Sequence, residues 1–211
     1  IPCVRIEEDT QKIYFDTSSD YSGELEKFYE KYLADDLEYF KITKKYSNGL
    51  YYLLENFDNL FQKDRMFYLK GQVTGPISFG FTVVDQDKRA IFFNEQIFDT
   101  VLKALCLKTR WQIKKLKELF PKIIIFIDEP YLSSYGSAYI NLSRDDVVNN
   151  LNELSEAIIS EGAIPGVHCC GNTDWSILMD TKIKILSFDA YAFFKNIILY
   201  PEKLKNYLHN G

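Results

Sequence analysis

The 211-residue sequence is short of several things, and each shortage excludes something. No apolar run approaches the roughly twenty residues that cross a bilayer; the longest, "IIIFI", is five, and no signal-like start precedes it. A membrane protein is excluded as an expectation, and a soluble, cytoplasmic one is expected. Basic surplus is absent too: 25 Lys and Arg stand against 30 Asp and Glu, a formal charge of −5. The one dense basic stretch, "KTRWQIKKLKELF", alternates its charges with apolar residues at helical spacing, so nucleic acid is not an expected partner. Cysteine is scarce, with four residues, two of them adjacent, which is a poor disulfide framework and suits a reducing compartment. Histidine is scarcer still, with two residues, and neither GxGxxG nor GxxxxGK follows any candidate strand.

What is present is core material: 46% of residues are hydrophobic and 16% aromatic, enough for one sizeable domain over 1–211. "IPCVRIEEDTQKIYFD" reads as a strand-turn-strand pair. "SGELEKFYEKYLADDLEYF" reads as an amphipathic helix over 22–40 with Ser22 as its N-cap, and a second helix is expected over 46–61. "RMFYLKGQV" reads as a strand, "TGPISFG" as turn-rich, and 94–120 as a long helix closed by Pro121.

A rhythm follows in which a short β-branched run leads through a polar loop to a helix. "KIIIFIDEP" precedes a helix capped by Ser143 and ended by Gly162; "AIPGVHCCGNTD" precedes "WSILMD"; "IKILSFDAY" precedes "PEKLKNYL". With "RMFYLKGQV" this makes four βα units, hence a parallel sheet with helices outside. A doubly wound sheet and a (β/α)8 TIM-type barrel both fit. The missing nucleotide signatures favour the barrel, incomplete in this chain and lacking its first and last strands, with an added N-terminal β-hairpin. Half a barrel leaves open strand edges, to be covered by further chain or by a partner such as a second copy in a homo-oligomer.

In either architecture the active face lies at the carboxyl ends of the strands. Those ends carry Asp128, Glu129, His168, Cys169, Cys170 and Asp189, whereas the opposite ends begin near Arg65, Lys122 and Lys182. His168 and Cys170, two residues apart on an extended segment, point to one side and could share a zinc ion, with Cys169 facing away and Asp189 as the nearest third donor. Competing readings are a vicinal Cys169–Cys170 disulfide and a hydrogen-bonded core histidine. Cys106 falls in a helix as core, Cys3 carries no pattern, and His209 belongs to a last helical turn.

At these residues, "VTGPIS", "IFIDEPYL" and "VHCCGN" resemble, in this order, three strand-end motifs of the cobalamin-independent methionine synthases and of the superfamily they share with uroporphyrinogen decarboxylase. The resemblance spans roughly 67–189. It implies a barrel enzyme whose zinc binds the thiol of a methyl acceptor, with His168 and Cys170 as metal ligands, Asp189 near the place of a further acidic ligand, and a last Cys ligand beyond Gly211. It also implies that Asp128 contacts the amino group of an amino-acid substrate. The folate-stacking tryptophan of that family has no match in "TGPISFGFTVVD", so folate is not implied as the donor. The alternatives are a binding barrel without catalysis and a metal-free decarboxylase-like enzyme.

Overall fold

A computed structural model describes residues 1–10, 12–138 and 140–210, the last without its side chain. Six strands and eight α-helices are present among the described residues. The N-terminal pair, β1 (Val4–Glu7) and β2 (Lys12–Phe15), forms the expected antiparallel hairpin. It is fastened by Phe15, whose side chain is fully buried and whose N–H donates to the Val84 carbonyl at 3.0 Å.

Next come α1 (Ser22–Leu33) and α2 (Asn48–Leu60). The first is shorter than its periodicity predicts. Asp35 takes a left-handed conformation (φ 52°), and the chain leaves the helix there so that Leu37 and Phe40 can fold back beside Phe28. Ser22 is not the cap either: its N–H and hydroxyl both donate to Asp20 Oδ1, so Asp20 organises the turn into the helix.

The main sheet is parallel, with β3 (Leu69–Thr74), β4 (Ile123–Asp128), β5 (Ile164–Cys169) and β6 (Ile185–Phe188) in that spatial order. Alternation along β4 explains its two faces. Ile123, Ile125 and Ile127 are buried against the helices, each stabilising the fold by about 1.5–3 kcal/mol relative to exposure. Ile124, Phe126 and Asp128 lie half-buried on the other face. Gly166, in register with Phe126, keeps that face flat enough for the Phe126 ring, which a side chain at 166 would press.

The helices between the strands are α3 (Pro76–Thr82), α4 (Glu95–Lys117), α5 (Arg144–Ser160) and α6 (Trp175–Leu178), followed by α7 (Ala190–Ile197) and α8 (Pro201–Asn210). The turn expected at "TGPISFG" is instead the start of a helix, and α7 falls where no helix is expected. Both are helical, the first because Pro76 occupies its opening position, where its missing N–H costs nothing. At α4, Asn94 caps by accepting from Ile97 N–H, and the helix ends at Lys117, ahead of Pro121. Ser143 and Asp146 form a reciprocal capping box on α5. Its far end closes on Gly162 (φ 67°), where Gly162 N–H donates to Ile159 O and Ala163 N–H to Ile158 O, a turn that needs the left-handed backbone.

The long α4 joins two cores. One side packs on β3 and β4; the other carries Ala104, Leu107 and Trp111 into a second cluster with Phe28, Leu37 and Phe40. No described helix is long and apolar enough to cross a membrane. The four strands stand as an open sheet beside a hairpin.

Candidate functional site

The carboxyl ends of the strands converge as the βα alternation requires. Register sets Thr74 beside Asp128, Asp128 beside His168, and His168 beside Ser187, so these four residues form one row across β3 to β6. Residues in register in a parallel sheet project to the same face, and this row lies on the half-exposed one. His168 Nδ1 lies 3.0 Å from Ser187 Oγ, which fixes the ring and leaves Nε2 without a partner among the described residues. The Asp128 carboxylate has no hydrogen-bond or ion-pair partner among them. A fixed imidazole therefore sits next to an unneutralised carboxylate on a wet face.

Behind the row is a buried lock. Glu129 is fully buried, and its carboxylate accepts from Ile77 N–H at 3.0 Å and from Ser78 N–H and the Ser78 hydroxyl, each at 2.7 Å. These are orphan donors of the first turn of α3, so the end of β4 caps the helix that follows β3. Burial pushes the carboxyl up and the three donors pull it down. Burial wins, with a smaller push from Asp128, and the group reaches about 7. Gly75 is glycine because a Cβ there would overlap the Glu129 carboxyl. The "TGPIS" and "IDEP" stretches are thus two halves of one contact.

The "HCCGN" stretch separates by role. Cys169 is buried on the helix side, as expected, and desolvation pushes its thiol up to about 11, which leaves it inert. Cys170 follows the end of β5 and is exposed; both cysteines are free thiols. Gly171 lies against Ser133, where a side chain would collide, and Asn172 Oδ1 accepts from Trp175 Nε1 at 3.3 Å, holding the fully buried indole under the loop. Of the five residues, His168 alone joins the row.

Asp189 is exposed and acts as the N-cap of α7, its Oδ1 accepting from Tyr191 and Ala192 N–H at 3.0 and 3.2 Å. A zinc ion needs three or four protein donors in a closed or catalytic site. Among the described residues no three His, Cys, Asp or Glu side chains are grouped to share one. His168 lies in the row, Cys170 just beyond the end of β5 and Asp189 at the cap of α7.

Sequence reasoning named Asp128, His168, Cys170 and Asp189 but missed Ser187 and the part played by Glu129. Ser187 was findable, lying two residues before Asp189 on the same predicted strand. The Glu129 lock was not, because nothing local shows that it reaches α3. Cys106 and His209 fall where expected, the first buried in α4 and the second exposed on α8 with Nδ1 3.0 Å from Lys205 O. No family model matches this chain, and no curated protein and no solved structure matches it either.

Proposed function

We propose that the four βα units are part of a (β/α)8 enzyme barrel whose strand-end rim binds a small amine-bearing thiol and prepares it for methyl transfer. The barrel reading is supported by strand order: β3 to β6 lie in sequence order, whereas a doubly wound sheet reverses direction at a switch point. The reading of the chemistry rests on one observation, the Asp128 carboxylate, without a partner among the described residues, in register with a His168 ring held by Ser187.

In this reading Asp128 takes the ammonium group of the substrate as a charge-assisted hydrogen bond. His168 Nε2 accepts the proton of the S–H group. The resulting thiolate attacks a methyl carbon carried on an onium or protonated nitrogen centre; the new S–C bond forms as the old bond breaks, and the donor departs with the electron pair. The resemblance of the three strand-end motifs is the ground for the reaction type, and the placement of Asp128 and His168 supports two of the roles.

Calorimetric and NMR titration with L-homocysteine, and with L-serine as the thiol-free control, tests the reading. Homocysteine is expected to bind and to shift the His168 ring resonances, and Asp128→Asn to weaken it about tenfold or more. Equal binding of serine with no change at His168 would remove the thiol chemistry and leave an amine-binding site. That second outcome describes a binding barrel without catalysis.

A further inference from the structure

A second concavity, which Thr74 at the end of the row also lines, lies between the outer edge of β3, the flank of α4, the hairpin and the segment around α2. It encloses about 840 Å³, within the roughly 300–1,000 Å³ of small-molecule sites. Its walls are apolar, with Ile6, Ile13, Leu50, Leu53, Leu105 and Leu116 among them.

Charge distinguishes it. The whole chain carries more acids than bases, yet three lysines, Lys41, Lys70 and Lys108, line this cleft and none of its lining residues is acidic. Two of the three are engaged locally. Lys41 faces Glu38 at 3.8 Å, and Lys70 bonds Gln72 Oε1 at 3.3 Å while lying over the Phe126 ring at 4.8 Å. Lys108 has only the Phe40 carbonyl, at 3.2 Å, and no carboxylate partner among the described residues. Burial lowers its ammonium from the ordinary lysine value, with no opposing acid.

The cleft also holds unfilled hydrogen-bonding capacity. Thr109 and Gln112 lie next along α4 and line the same cleft, 1% and 8% exposed. Thr109 Oγ1 and Gln112 Oε1 are buried without a partner among the described residues, although Gln112 Nε2 donates to the Gln72 carbonyl at 3.2 Å. Unmatched buried polar atoms beside a desolvated cation are costly unless something completes them.

We infer that this cleft is a binding site for an anionic amphiphile, a single-chain carboxylate of the fatty-acid kind, with its head at Lys108 and its alkyl chain along the isoleucine and leucine walls. The head neutralises Lys108, and Thr109 can turn its hydroxyl to donate to it. The alkyl chain removes apolar surface from water. The inference does not rest on the chemistry at His168, and it is an alternative to a further strand pairing along the outer edge of β3, which would fill the same cleft.

Titration calorimetry with decanoate, against decyltrimethylammonium of equal chain length, tests it. Decanoate is expected to saturate one site and to bind at least about tenfold tighter than the cation. Lys108→Met, or Lys108→Gln if the first variant melts early, should remove most of that preference. Leu199→Ser with Leu208→Ser, on the exposed apolar surface of the C-terminal helices, should leave it intact. Equal affinity for the cation, insensitivity to both Lys108 substitutions, or loss of binding in the double serine variant would each overturn the inference. So would absence of decanoate binding together with concentration-dependent protection of the β3 amides, which would give the cleft to a second copy of the chain.

Discussion

At the scale of single residues, Glu129 has the most to say. Its carboxyl sits near 7 in the folded chain against an ordinary 4.5, so the folded state holds its proton where the unfolded chain has already released it. Stability is therefore highest below pH 4.5 as far as this group is concerned, falls as the pH rises from 4.5 to 7, and is level above. The full fall is roughly 3 kcal/mol at most, taking about 1.4 kcal/mol per pH unit. Denaturant titrations at pH 5 and pH 8 should show it, and Glu129→Gln should abolish the difference. At pH 5 the same substitution should cost about 1–3 kcal/mol, because an amide N–H would meet an α3 donor where an oxygen now accepts. A Glu129→Gln profile as steep as that of the unaltered chain would place the titrating group elsewhere.

At the scale of elements, caps and registers decide which expectations survive. Ser143→Ala removes one arm of the capping box on α5 and should lower stability by about 1 kcal/mol, readable as a shift in the denaturation midpoint without a change in slope. Ser22→Ala should do less, since Asp20 keeps its bond to the Ser22 N–H. The four strands, α2, α4, α5 and the hairpin were legible because their signals are local: β-branched runs, a 3.6-residue rhythm, Ser143 before acids and Gly162 after a helix. α3 and α7 were not. "PISFGFT" is short and holds a glycine, and "AYAFFKNI" spans only about two turns between a strand end and Pro201. The premature end of α1 depends on Leu37 and Phe40 finding Trp111 some seventy residues away. The same division runs through the site. Asp128 and His168 announce themselves as polar residues at strand ends, whereas the ring's attachment to Ser187 and the engagement of Asp189 as a helix cap exist only once β6 has been placed.

At the scale of the whole molecule, surface remains uncovered. β3 and β6 bound the sheet, its inner face is half-exposed, and Tyr191, Phe194, Leu199 and Leu208 stand out from the C-terminal helices. Apolar surface of this kind promotes association. Sedimentation velocity of the 211-residue chain should show its weight-average coefficient rising with concentration, and Phe194→Ser with Leu199→Ser should flatten the rise. A coefficient constant over a hundredfold range in the unaltered chain would mean that these side chains are harmless in water.

The meeting of Glu129 with the first turn of α3 also has a consequence for how such a sequence can drift. Positions 75, 78 and 129 share one small volume, with the carboxyl filling the space that a side chain on 75 would need. Ala at 75 is intolerable while Glu stands at 129, and a shorter acid at 129 leaves a void unless 75 enlarges. The three positions can be exchanged as a set and hardly one by one. Gly75→Ala combined with Glu129→Asp should thus be less damaging than the sum of the two single changes.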